Sequence, residues 1–244
     1  MNRLRKASGL AMAAIVIAGI SDAGRVQAVP LLSVVAQSPQ PSRDAKALAL
    51  TQATAAAAIA PRLASLQTTV AMISTSTTVL PADKTALLAT LNADRSGLTA
   101  VGAKIRADTT SGQATADYRT IFYAYRVFAL AVPQAEYVAA ADAITGSALP
   151  TIIEVQGELE SLFNGPDAAK NSATVQTAMD DLQAQISAVQ VATAGLTPTV
   201  LAYRTGDYSN NNNLLTPWRL QLANARADLK TAIADLTTVE SALQ

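Results

Sequence analysis

The arginines and tyrosines between Asp117 and Tyr137 are the side chains of this sequence best equipped to bind a ligand. The segment reads D-Y-R-T-I-F-Y-A-Y-R-V-F-A-L-A-V-P-Q-A-E-Y and holds six of the ten aromatic residues. Arg119 and Arg126 lie seven residues apart, so on one continuous helix they share a face. Two guanidinium groups on one face would hold an anionic group together.

The same arginines have a structural alternative, in which each pairs with a carboxylate on a neighbouring helix. Burying an arginine requires such a partner, and Asp94, Asp117 and Asp142 are the obvious candidates. Structural pairing is favoured, because anion clamps usually add a third donor or a polar pocket. We therefore predict one cluster that serves either as a set of ion pairs or as a ligand site. Its members are Arg119, Tyr123, Arg126, Asp94 and Asp142.

The sequence contains neither histidine nor cysteine. Histidine is the usual general base near neutral pH and the commonest metal ligand. Ser–His and Cys–His nucleophilic systems, His-ligated zinc sites and disulfides are therefore excluded. No Gly-rich phosphate loop or nucleotide motif occurs, so no cofactor is expected.

Other polar clusters fit structural roles better than chemical ones. Asp180 and Asp181 are adjacent on a predicted helix and point about 100° apart, so they do not form an acid–base pair. Glu154 and Glu158 share a helix face, which a solvated acidic surface explains. The loop D-Y-S-N-N-N-N at 207–213 begins like a calcium loop. It lacks the glycine at the sixth position and the glutamate at the twelfth, so an Asn-rich turn is the preferred interpretation.

The elements that would position these residues are helices. Apolar residues recur every three or four positions in six segments, and no alternating strand pattern bounded by hairpin turns is present. We predict an all-α fold, an elongated bundle of about five to six long heptad-patterned helices. Its central helix is the aromatic segment, ended or bent by Pro133. The predicted core-facing stripe of that helix is Tyr118, Phe122, Tyr125, Phe128 and Val132.

Several boundaries follow from local signals. Ser42 is the expected N-cap of the first helix, and Pro61 is expected to kink or divide that helix. A kink is also expected near Gly146 and Pro150. The polar run at 206–213 is predicted to form the longest loop.

Residues 1–28 have the organisation of a secretory signal peptide. Three basic residues lie within the first six positions, and a 14-residue apolar run follows at 7–20. That run is shorter than the roughly 20 residues that a membrane-spanning helix needs. Val26-Gln27-Ala28 predicts cleavage after Ala28, and an uncleaved membrane anchor is the alternative. We expect no later stretch to be long and apolar enough to span a membrane.

Cleavage would leave a mature chain with an uneven charge distribution. Residues 29–41 read as an irregular, proline-containing linker, and 42–244 as a single helical-bundle domain. The mature chain has 14 basic and 17 acidic residues, which argues against a nucleic-acid partner. Residues 43–126 hold nine basic and five acidic side chains, whereas 127–203 hold eight acidic side chains and Lys170. We expect the two halves to attract each other across helix faces.

Two segments resemble a family of predicted secreted bacterial proteins of unknown function. They are L-N-A-D-R-S-G-L-T-A-V-G-A-K-I-R-A-D-T at 91–109 and D-Y-R-T-I-F-Y-A-Y-R-V-F-A-L-A-V-P at 117–133, followed by A-A-A-D ending at Asp142. The resemblance covers about a fifth of the chain closely. It implies export and a helical fold, and it supplies no catalytic residues.

The sequence therefore favours an exported, non-enzymatic helical bundle of the cell envelope or extracellular space, with a structural or binding role. The signal peptide, the low charge and the Thr- and Ala-rich surface support this interpretation. One alternative is an exported all-helical enzyme that uses Arg and carboxylates without His or Cys. Another is a membrane-active helical protein. Partners are not specified, although an envelope component or self-association is compatible with the composition.

Overall fold

The computed structural model describes residues 42–243, and these residues form helices without a β-strand. The predicted signal peptide and the linker at 29–41 lie outside the described residues. The all-α prediction is confirmed. A 3₁₀ turn at Ala168–Lys170 and two π-helical segments, Val127–Ala131 and Ile144–Ala148, accompany the α-helices. The α-helices are α1 (Arg43–Thr75), α2 (Pro81–Ala107), α3 (Ser111–Tyr123), α4 (Val132–Ala143), α5 (Leu149–Phe163), α6 (Ala173–Thr193), α7 (Leu196–Ala202), α8 (Thr205–Asn210) and α9 (Thr216–Leu243).

Local signals in the sequence explain where most of these helices begin. Ser42 caps α1 as predicted, because its hydroxyl oxygen accepts a hydrogen bond from the amide of Ala45 at 3.2 Å. Thr110 and Ser172 cap α3 and α6 in the same way. Pro81 occupies the first turn of α2, where its missing amide hydrogen is not needed.

The predicted apolar stripes are the buried faces of the helices. In α2 the buried positions include Leu87, Leu91, Leu98 and Ile105, which follow a spacing of four or seven residues. Pro61 lies within α1 but does not divide it, since α1 continues for 33 residues. The side chain of Pro61 is exposed. Water can therefore reach that side of α1, where the proline removes a helical hydrogen bond.

The helices form two groups. The first consists of α1, α2 and α3, which pack against one another, and the second consists of α5, α6 and α9. Between them, α4 contacts α1, α7 and α9, and α7 also contacts α2. The chain passes from the first group to the second through the helical run from Val127 to Phe163. Buried apolar residues of both groups belong to one hydrophobic cluster.

The aromatic segment differs from its prediction as one central helix. Helix α3 ends at Tyr123, the chain turns at Ala124, and a π-helical segment begins at Val127. Pro133 does not end a helix, because it lies in the first turn of α4. The predicted core stripe is also partly wrong: Phe128 is 51% exposed, whereas Val127 is buried. The turn changes the helical register, so positions before and after it do not share a face.

The second π-helical segment, Ile144–Ala148, lies where Gly146 and Pro150 suggested a kink. The run at 206–213, predicted as a loop, instead contains most of the short helix α8. The segment from Asn164 to Ser172, by contrast, contains turns and the 3₁₀ turn, and α6 begins after it at Ala173.

Two helical stretches, Arg43–Thr75 and Ser111–Phe163, are long and apolar enough to cross a bilayer by length and composition. The expectation that no later stretch would pass this test is therefore wrong. Core helices of soluble proteins have the same length and hydropathy, so these two properties alone do not assign a membrane span. In the most apolar window of each stretch, 22% and 33% of the residues are buried.

Gly97 provides a test of the packing between α2 and the aromatic segment. A Cβ atom at this position would lie 2.5 Å from Cε1 and the hydroxyl oxygen of Tyr125. We expect Gly97→Ala to lower the free energy of unfolding by about 1–2 kcal/mol, because overpacking outweighs the roughly 1 kcal/mol that alanine adds to a helix. Denaturant unfolding followed by circular dichroism measures this change.

The matched control is Gly157→Ala in α5, where an added Cβ meets no atom within 4 Å. This substitution should stabilise the protein by up to ~1 kcal/mol. Equal stabilisation by both substitutions would show that Tyr125 does not pack against Gly97.

Candidate functional site

The five predicted site residues do not form one cluster. Arg119 is exposed on α3 and makes no hydrogen bond or ion pair with the residues that the structure describes. The turn at Ala124 separates Arg119 from Arg126, so the two arginines do not act as a clamp on one helix face. The predicted pairing of these arginines with Asp94, Asp117 or Asp142 is also wrong. Asp117 pairs instead with Lys104, at 2.9 Å.

Arg126 contacts two tyrosine rings. Its guanidinium carbon is 5.6 Å from the ring centroid of Tyr123 and 5.4 Å from that of Tyr208. One terminal nitrogen donates a hydrogen bond to the hydroxyl of Ser209 at 3.1 Å. Such contacts orient a cation without neutralising it, because an aromatic ring carries no net charge.

The charge of Arg126 is not balanced by a nearby carboxylate. Within residues 42–243, no carboxylate oxygen lies within 4.0 Å of its guanidinium group. Its Nε is buried and has no hydrogen-bond partner there. Arginine stays protonated in proteins, so this group is a partly buried cation with unused donors.

The backbone of Arg126 has a left-handed conformation. Its φ is 31°, the one positive value among the described residues other than glycine. Its carbonyl oxygen accepts hydrogen bonds from the amides of Ala129, Leu130 and Ala131, which start the π-helical segment. Left-handed backbone at a non-glycine residue is unfavourable and persists where the surrounding structure enforces it.

Arg62 is a second arginine of this region that the sequence interpretation missed. It belongs to α1, and its guanidinium carbon lies 4.6 Å from the ring centroid of Phe122 and 5.2 Å from that of Phe128. Burial lowers the pKa of Arg62, and the charge of Tyr118 partly opposes this. One sequence signal was available: Arg62 is the single charged residue between Lys46 and Asp83.

Two contact groups lie here, Arg62 with Phe122 and Phe128, and Arg126 with Tyr123 and Tyr208. The consecutive residues Phe122 and Tyr123 connect them, and we call the two groups together the aromatic–arginine cluster. Its rings come from α3, the first π-helical segment and α8, and its two cations come from α1 and the turn before Val127. Tyr118 and Phe122 also contact each other edge to face, with ring centroids 5.1 Å apart. The members of the cluster are Arg62, Tyr118, Phe122, Tyr123, Arg126, Phe128 and Tyr208.

Asp142 has a structural role at the junction of three elements. It is 1% exposed at the end of α4. One carboxylate oxygen accepts the backbone amide of Leu80, the N-cap residue of α2, at 3.0 Å, and the other accepts the hydroxyl of Thr197 in α7 at 3.2 Å. Burial raises the pKa of Asp142, and the neighbouring Asp83 contributes to the rise. The bonds from Leu80 and Thr197 act in the opposite direction.

Asp94 is half-buried on α2, between the buried residues Leu91 and Leu98. It makes no hydrogen bond or ion pair with another described residue, and burial raises its pKa to about 6. A cavity of about 160 Å³ between α1 and α2 is lined by none of the five predicted site residues.

Local hydrogen bonds hold the Asn-rich segment. A carboxylate oxygen of Asp207 accepts the amide of Arg204 at 2.8 Å, and the side-chain oxygen of Asn211 accepts the amide of Asn213 at 3.0 Å. In the part of the chain that is described, no three acidic residues group in a manner suited to a metal ion.

Comparison with protein families, curated proteins and solved structures found no match to this chain. The resemblance to a secreted family therefore stays a prediction.

Replacing Asp142 should separate its hydrogen bonding from its charge. Asp142→Ala leaves the amide of Leu80 and the hydroxyl of Thr197 without their acceptor, so we expect a loss of about 2–3 kcal/mol in the free energy of unfolding. Asp142→Asn keeps one acceptor and removes the repulsion with Asp83, so it should stay within about 1 kcal/mol of the natural protein. Denaturant unfolding at pH 7 compares the two; equal losses would contradict this capping role.

Asp94 should make stability depend on pH. Its folded-state pKa of about 6 lies above the unfolded value of roughly 3.9, so its contribution to stability is present below pH 4 and is lost as the pH rises through 6. Asp94→Asn should therefore unfold like the natural protein at pH 4. At pH 8 it should be more stable by about 1 kcal/mol, a value reduced for partial solvent screening. Urea titrations at both pH values test this, and a pH-independent difference would contradict it.

Proposed function

We propose that the chain is an exported, non-enzymatic helical-bundle protein of the cell envelope or extracellular space, with a binding role. The observation that carries the proposal is Arg126, a partly buried cation that is oriented by Tyr123 and Tyr208 and has no carboxylate partner within the described residues. The signal-like organisation of residues 1–28 supports export.

The arrangement around Arg126 suits binding better than catalysis. A guanidinium group that contacts two rings provides a positive charge in a defined orientation, but it does not exchange protons near neutral pH. The protein has no histidine to supply the missing acid–base step. The acid with a pKa of about 6, Asp94, contacts neither Arg62 nor Arg126 through a hydrogen bond or ion pair.

Fractionation of the native cells tests export. The expected result is a mature chain that begins at Val29 and is recovered outside the cytoplasm, in the envelope or the medium. Sequencing the N-terminus of the purified protein provides the measurement. A chain that begins at Met1 in membranes would contradict cleavage, and recovery in the cytoplasm would contradict export.

The same fractions test the binding role of Arg126. If the envelope retains the protein through this cation, Arg126→Gln should shift it from the envelope to the medium. Lys230→Gln is the matched control, because Lys230 is exposed on α9 and makes no ion pair with the residues described. Equal distribution of both variants and the natural chain would contradict the proposed role of Arg126.

A further inference from the structure

The aromatic–arginine cluster exposes apolar rings next to its cations. Tyr123 is 64% exposed and Phe128 is 51% exposed, and both contact an arginine. A phenylalanine ring has no polar group to offset its contact with water, so this exposure is unfavourable for the isolated protein. An occupant that covers the ring and also carries negative charge would satisfy both halves of the cluster.

The chain segment that supplies both arginines of the cluster has a net positive charge. Residues 43–126 carry a net charge of +4, and one of their five acids, Asp117, is engaged by Lys104. Arg119 lies one helical turn before Tyr123 and is exposed. The nearest acid in sequence to Tyr208 is Asp207, which accepts the amide of Arg204 and does not pair with Arg126. The long-range field over this helical group therefore attracts anions.

We propose that the aromatic–arginine cluster docks on an anionic lipid surface. The phosphate of a lipid headgroup would bind the guanidinium of Arg126, while Phe128 and Tyr123 enter the boundary between headgroups and acyl chains. Aromatic side chains with adjacent basic residues favour the headgroup level of a bilayer, because the rings contact the acyl chains while the charged groups stay among the polar headgroups. The proposal rests on the binding role of Arg126 and on export, and it names the partner.

A lipid surface explains the cluster better than a soluble anion does. Inorganic phosphate would neutralise Arg126 but would leave the ring of Phe128 in water. A bilayer interface offers phosphate groups and apolar depth side by side, and each arginine near an anionic surface adds about 1 kcal/mol of attraction. The hydrogen bond to Ser209 and the contacts with Tyr123 and Tyr208 orient the guanidinium of Arg126 before binding, which lowers the entropy lost on binding.

The test is co-sedimentation of the protein, in the form purified from its native cells, with two kinds of vesicle. One contains phosphatidylglycerol and phosphatidylcholine in equal parts, and the other contains phosphatidylcholine alone. We expect binding to the anionic vesicles, which added salt weakens and 10 mM inorganic phosphate does not abolish. Equal binding to both vesicles, as a retained apolar N-terminus would give, or binding to neither overturns the proposal.

Variants locate the docking surface. Charge reversal by Arg119→Glu should weaken binding by about 30-fold, and Phe128→Ala by about fivefold, if each charge or ring contributes about 1 kcal/mol. Lys230→Glu and Ile233→Ala on the exposed side of α9 are the matched controls and should leave binding unchanged. Controls that weaken binding as much as the cluster variants would overturn the location.

A second measurement depends neither on the affinity for vesicles nor on the stability of the variants with smaller side chains. Phe128→Trp places a second indole, beside the native Trp218, at the proposed depth. The emission of the variant minus that of the natural protein should shift to the blue when anionic vesicles are added. An unshifted spectrum with bound protein overturns the proposal. Loss of vesicle binding together with normal envelope retention through Arg126 would leave the proposed function in place and show that its anion belongs to another envelope polymer.

Discussion

The buried carboxylate of Asp142 connects the parts of the chain that meet between the two helical groups. It lies near the end of α4. It accepts one hydrogen bond from the amide of Leu80, the N-cap residue of α2, and another from the hydroxyl of Thr197 at the start of α7. The N-cap residue of α2 is leucine, whose side chain cannot accept a hydrogen bond from the amides of the first turn. Its first turn therefore depends on an acceptor supplied from 62 residues further along the chain. The helix N-terminus and the two hydrogen-bond donors stabilise the carboxylate, and this offsets the free energy lost when it is removed from water.

The helices could be predicted because their signals are local. Caps, prolines and apolar spacing act within one or two turns, and the apolar stripes of α1, α2, α6 and α9 are buried as expected. The aromatic segment was misjudged because its side chains suit a continuous helix equally well. The turn at Ala124 and the left-handed backbone at Arg126 are enforced by packing, and no glycine or proline marks them.

The candidate site could be predicted only in part, for a related reason. Tyr123 and Arg126 were identified from one segment, but the partners that define their environment come from elsewhere in the sequence. Arg62 lies on α1 and Tyr208 on α8, and neither spacing nor composition links them to the aromatic segment. The opposite charges of the two halves suggested attraction across helix faces. Both ion pairs in the described chain are instead local to one half, Lys104 with Asp117 and Lys170 with Asp167.

The ring pair around Arg126 also determines when a functional cluster can exist. Ser209 and Tyr208 follow Arg126 by more than 80 residues, so the cation is framed only after α8 has folded back onto the turn before Val127. While the chain is unfolded, Arg126 and the two tyrosines are separate side chains, so the environment of this cation is assembled only by the completed fold.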